Sequence, residues 1–184
     1  MFRSLCLSLA LALGLAAPAS AVNDTAPLAK AAQDFYGAAL HLDQSGIPNA
    51  RGRARLAPYL SPALNRLLAD GAAAEKRYAA MTKGQAPSLL EGDLFTSMFE
   101  GASSFKIGVC EVKGGRGSCA VALRYATADQ KPQHWTDMAV LVETPAGWRI
   151  DDIDYGGHWP FANTGTLKEN LAYAIQNAGG DDEE

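Results

Sequence analysis

Cys110 and Cys119 bracket Glu111-Val112-Lys113-Gly114-Gly115-Arg116-Gly117-Ser118, and this arrangement constrains the fold more tightly than any other stretch of the chain. Gly114-Gly115 suits a two-residue hairpin turn, which needs positive φ at both central positions. That turn pairs Lys113 with Arg116, Val112 with Gly117, Glu111 with Ser118 and Cys110 with Cys119. Bonded and non-bonded pairs alternate outward from a turn, so the cysteines fall on a non-bonded pair, with α-carbons about 4.5 Å apart. That separation is within disulfide range. A structural disulfide across the hairpin is therefore expected. A metal or redox pair is the rival, but no CxxC spacing and no nearby histidine supports it.

A disulfide implies an oxidising compartment, and the first residues agree. Arg3 precedes an apolar run from Leu5 to Leu15, and Ala17-Pro18-Ala19-Ser20-Ala21 offers small residues before a cut after Ala21. This is a secretory signal pattern. The run is shorter than the roughly 20 apolar residues that span a bilayer, and no other segment is longer. The expected organisation is a signal peptide at 1–21, one α+β domain at 22–178 and an acidic, disordered tail at 179–184. No membrane span is expected after cleavage, and the product is periplasmic or secreted. Cys6 lies inside the signal, so no lipid-accepting cysteine is read. Removing Arg3 moves the net charge from −4 to −5. That argues against nucleic acid as a partner, since such a partner favours a basic face.

Apolar residues at Leu28, Ala31, Ala32, Phe35, Ala38, Ala39 and Leu42 have helical spacing over Thr25 to Asp43, stopped by Gly46 and Pro48. A second helix is expected from Ala50 to Leu60, with Arg51, Arg53 and Arg55 on a solvated face. Ser61-Pro62 opens a third that runs toward Gly84, with Gly71 a point of breakage or bending. Residues 87–104 read as an irregular crossing. The period then becomes two. Phe105 to Val112 and Gly117 to Ala126 form one hairpin; His134 to Glu143 and Trp148 to Asp154 form another, turning at Pro145-Ala146. Thr166-Leu167-Lys168-Glu169 is a capping box that opens a last helix. The fold class is α+β, with N-terminal helices on one face of a curved four-stranded antiparallel sheet and a C-terminal helix.

Extending the second hairpin's register without interruption pairs Leu141 with Ile150, Ala139 with Asp152 and Asp137 with Asp154. Asp137, Asp152 and Asp154 then share one face with Trp135, while Asp151 points away. Like charges opposed in a sheet destabilise it by up to about 1 kcal/mol, so something must offset them. The alternatives are a solvated or salt-bridged rim, a ligand pocket, or a catalytic site in which burial raises a carboxyl into the acid–base range. A β-bulge between Trp148 and Asp154 would exchange the faces and dissolve the cluster. No EF-hand spacing or other metal pattern is present, and no cofactor motif is read. His41, His134 and His158 are not arranged in any triad order that sequence alone defines.

Leu90-Glu91-Gly92-Asp93-Leu94-Phe95-Thr96-Ser97, Phe99-Glu100-Gly101, Trp135-Thr136-Asp137-Met138-Ala139-Val140-Leu141-Val142 and Gly147-Trp148-Arg149-Ile150-Asp151-Asp152-Ile153, followed by Tyr155-Gly156, resemble bacterial exported proteins of the domain-of-unknown-function family 3828. The resemblance covers most of the chain from the first helix to the last. It implies a cone-shaped fold similar to the nuclear-transport-factor-2-like, cystatin-like superfamily, which holds isomerases, dehydratases and non-catalytic binding domains. No catalytic residue is carried over. The binding candidates are Asp137, Asp152, Asp154, Trp135 and Asp93. The leading expectation is a non-enzymatic exported binding domain for a small molecule, peptide or exported protein. The alternatives are a cone-fold isomerase, dehydratase or hydrolase using an aspartate as acid or base, and an exported inhibitor or immunity-type protein.

Overall fold

Four strands run in the order β1-β2-β3-β4, each antiparallel to the next: β1 (Ser104–Lys113), β2 (Arg116–Tyr125), β3 (Gln133–Thr144) and β4 (Gly147–Asp154). Three helices precede this meander: α1 (Ala26–Ala39), α2 (Ala50–Leu56) and α3 (Pro62–Met81). One follows it, α4 (Leu167–Asn177). The structure is a computed structural model that describes residues 24–42 and 44–179. The signal and most of the acidic tail expected from sequence lie outside the described residues. Among the described residues, no helix is long and apolar enough to cross a membrane.

The helices begin where local chemistry predicts. The Ser61 hydroxyl accepts the Leu64 N–H at 3.0 Å, with Pro62 at the first helical position of α3. Thr166 and Glu169 form the reciprocal capping box of α4. Two expectations shift. The second helix tightens after Leu56 into a 3₁₀ turn over Ala57–Tyr59. α3 runs unbroken through Gly71, because that glycine lies buried where a methyl group would meet Ile47 and Leu171, the latter from α4. Its missing side chain serves close helix packing rather than a bend.

Leu28, Phe35 and Tyr36 of α1 are wholly buried with Cys119, Val121, Ala139, Leu141, Ile150 and Ile153 of the sheet. The first hairpin has the expected register, with Lys113 opposite Arg116, Val112 opposite Gly117, Glu111 opposite Ser118 and Cys110 opposite Cys119. The two cysteines are bonded, with α-carbons 4.1 Å apart. Farther from the turn the ladder slips. Ile107 faces Val121 while Cys110 faces Cys119, so β1 carries one extra residue there. The slip lets Phe105, Ile107, Cys110 and Val112 all pack against the core, and it leaves Val109 exposed.

The second hairpin repeats this device, and here the sequence expectation is corrected. Glu143 faces Trp148 and Leu141 faces Ile150, as expected, but Val140 then faces Asp152, and Met138 faces Asp154. Asp151 is the extra residue of a bulge. Asp152 and Asp154 therefore lie on the face opposite Ala139 and Leu141, and Asp137 does not share a face with them. The physical reason is apolar burial. The bulge turns Ile150, Ile153 and Tyr155 all inward, at 0%, 0% and 6% exposure. Each large apolar side chain so buried contributes about 2–3 kcal/mol, whereas an unbulged strand would aim Asp152 and Asp154 at the core, at a larger penalty.

The disulfide spans a sequence separation of 9, and loop-closure entropy for so short a loop is about 2–3 kcal/mol. Denaturant titration with and without reductant should show a stability loss of that size, matched by Cys110→Ser/Cys119→Ser.

Candidate functional site

The loop between α3 and β1 is irregular, yet its 94–98 stretch lies inside the protein. Leu94, Phe95, Thr96, Ser97 and Met98 are all buried. Buried backbone must find partners, and here they come from distant parts of the chain. The Tyr155 hydroxyl donates to the Leu94 carbonyl at 2.6 Å. The Asn163 side-chain amide donates to the carbonyls of Asp93 and Thr96, each at 2.8 Å, and its backbone N–H donates to the Ser97 carbonyl at 2.9 Å.

Asp137, on β3 at 1% exposure, fixes the centre of this arrangement. Its Oδ2 accepts the Ser97 N–H at 2.8 Å and the Trp135 indole N–H at 3.1 Å. Its Oδ1 accepts the Ser97 hydroxyl and the Gly156 N–H, the latter at 2.9 Å. The Gly157 N–H closes the network on the Ser97 hydroxyl oxygen at 2.9 Å. Trp135 also meets Trp159 edge to face, with ring centroids 5.6 Å apart. Trp135 and Asp137 are thus brought together as parts of one fastening.

The other predicted aspartates are elsewhere. Oδ1 of Asp152 accepts the Ile153 N–H and the Lys168 N–H in the first turn of α4, at 2.9 and 3.0 Å. Asp154 is exposed, and its strand bridges Thr166. Asp151, the bulge residue, accepts the Ser61 hydroxyl at 2.7 Å, Lys168 Nζ at 2.6 Å and Arg116 Nη2 at 3.1 Å. Burial pushes the Asp151 carboxyl up. The Lys168 and Ser61 hydrogen bonds, with the charges of Lys168 and Arg116, outweigh this and hold it below the usual value.

Asp93 stands apart. It lines a cleft of about 620 Å³ between the segment that leaves α1, with Ala39, His41, Ser45 and Gly46, and the loop carrying Phe95, Phe99 and Glu100. The two walls are clasped together: the Gly46 N–H donates to the Gly92 carbonyl at 2.7 Å, and the Gly92 N–H donates to the Ser45 hydroxyl at 2.8 Å. Both glycines hold left-handed backbone, and a Cβ would strike the Leu90 carbonyl or the Phe99 ring. Burial pushes the Asp93 carboxyl from 3.8 to about 6, against the lowering effect of the Phe95 N–H, which reaches Oδ1 at 2.7 Å, and of Thr96; the Asp137 charge adds to the rise. Among the described residues, no lysine, arginine or histidine pairs with Asp93.

Tyr36, wholly buried on α1, sits one helical turn before Ala39 and Leu40 of the cleft wall. Burial pushes its hydroxyl well above the usual value, and the charge of Asp137, then Tyr155, then Asp93, adds to it. It is the one fully buried side-chain polar atom among the described residues without a hydrogen-bond partner. Tyr155 is raised by burial and by Asp93, Asp137 and Asp152, so it stays a neutral donor. Sequence reasoning missed Tyr36, Ser97, Tyr155 and Asn163. Only the tight Gly92 to Gly101 spacing around Asp93 hinted at a built loop. Among the described residues, no group of three or more metal-type ligands converges. Comparisons with protein-family models, curated proteins and solved structures each return no match.

Asp137→Ala should destabilise the fold by about 3–5 kcal/mol, since it strands several buried donors at once; equilibrium unfolding measures this. Asp93 has the opposite sign. Its folded-state affinity for a proton exceeds its unfolded one, so below pH about 4 it imposes no penalty. As pH rises from about 4 through about 6 the wild type loses up to about 3 kcal/mol relative to Asp93→Asn, and the deficit persists above that window. Paired melts across this range should show the variant drawing ahead.

Proposed function

We propose that this chain is an exported, non-enzymatic binding domain that holds a small ligand in the cleft between the α1 exit and the 92–102 loop, with Asp93 as the polar anchor. The observation that carries this reading is a largely buried carboxyl without a countercharge among the described residues, set in the wall of an open cleft of about 620 Å³. Pockets of this size, with few polar groups on a prearranged frame, suit small molecules. The prearrangement comes from the Asp137, Asn163 and Tyr155 ties.

The acid–base alternative finds less support. Asp137 has its oxygens engaged by four donors, and Asp152 is occupied at α4. One observation favours a protein partner instead. Phe161 is 92% exposed and holds left-handed backbone, φ 67°, a conformation uncommon for bulky residues.

Export is supported by the signal pattern before Ala21 and by the Cys110–Cys119 bond. The helices-then-meander order supports reading the fold as a nuclear-transport-factor-2-like cone. The reading of the chain as a relative of family 3828 is supported by the resembling sequence segments themselves.

A thermal-shift screen of small polar metabolites tests the function. Hits should raise the wild-type melting temperature and the Phe161→Ser one equally, and should lose their effect in Asp93→Asn. Hits that survive Asp93→Asn but vanish in Phe161→Ser would move the site to the exposed aromatic loop.

A further inference from the structure

Buried carboxylates elsewhere in this molecule show what a satisfied one looks like. Asp151 has a lysine and an arginine within 3.1 Å. Asp137 has no cation among the described residues but takes four donors. Asp93 has neither: its one short bond is the Phe95 N–H, Thr96 adds weaker help, and no cationic side chain among the described residues pairs with it. The cleft it faces is also lined by Glu100 and His41, and no lysine or arginine lines it. Apolar surface borders the acids, from Leu40, Leu42, Leu94 and the Phe99 ring, which is 46% exposed.

We propose that the ligand of this cleft is a small amphipathic organic cation, an amine whose charged head meets Asp93 and whose apolar body lies along Phe99 and the leucines. The inference rests on the cleft being the binding site and adds the chemical class of its occupant. A cation supplies the countercharge that the fold gives Asp151 and withholds from Asp93. A charge-assisted hydrogen bond to a partly dehydrated carboxylate is about twice as strong as a neutral one. An aromatic face beside the head adds cation–π attraction of about 0.5–1 kcal/mol at an exposed site. The acidic rim disfavours an anion in the same place.

Three probes share the phenylethyl body and carry a cationic, a neutral or an anionic head: 2-phenylethylamine, 2-phenylethanol and 3-phenylpropanoate. Each is titrated into the purified protein at neutral pH, and the backbone amide resonances of Gly46, Gly92 and Gly101 are followed by NMR. The amine should move these resonances with millimolar affinity, about ten-fold tighter than the alcohol, and the carboxylate should be weakest. Asp93→Asn should bring amine and alcohol level. If the alcohol or the carboxylate binds at these amides as tightly as the amine, the charge inference fails and the cleft reading survives. If no probe moves these amides, both fail. If the amine's preference persists in Asp93→Asn, the anchor is not Asp93 and the inference is overturned.

Discussion

The Asp137 carboxylate has no counter-ion among the described residues, and the way it is nevertheless accommodated organises the molecule. Isolated charge in a protein interior is heavily penalised, yet four donors from three regions converge on its two oxygens. One region is β3 itself, through Trp135. The second is the buried loop, through Ser97. The third is the chain just past β4, through Gly156. These segments lie 40 and 19 residues away in sequence. A loop that would otherwise expose its backbone is thereby held inside, and the cleft wall inherits its rigidity from the sheet.

The carboxylates of this chain divide by how their charge is met. Asp151 joins α3, β2 and α4 through Ser61, Arg116 and Lys168. Asp152 faces the positive end of α4, where an anion interacts favourably with the helix dipole. Asp93 is left under-compensated beside open space. Unmet burial of this kind recurs at functional positions, and the contrast within a single chain is more telling than the shift alone. The two buried tyrosines fit the same picture: both stay protonated, one spending its hydroxyl on the Leu94 carbonyl and the other, Tyr36, finding no partner among the described residues.

Near each turn the strand pairing was legible in the sequence, because Gly114-Gly115 and Pro145-Ala146 fix which residues face one another. The legibility ended at the bulges. Both occur where inward residues are spaced by three rather than two, Ile107 to Cys110 and Ile150 to Ile153. An alternation rule reads straight through such a step, and that is how Asp152 and Asp154 came to be placed beside Asp137. The apolar spacing itself contained the correction. Helix starts were readable because caps are local. The buried loop was not, since its partners Tyr155, Gly157 and Asn163 are remote in sequence, and most of these ties end on loop carbonyls that carry no residue signature.

The slip in β1 has a consequence for how copies of this chain meet. β1 is an outer strand, whereas the outer side of β4 is partly taken up by Leu60 and Thr166. A long, flat outer strand is a template on which another chain can zip into fibrils. The extra residue before Cys110 twists this border and interrupts its row of free amides, and Lys106 and Lys113 place like charges along it. The slip that lets Ile107 and Cys110 both face the core thus also makes this border a poor template for a second copy of the chain.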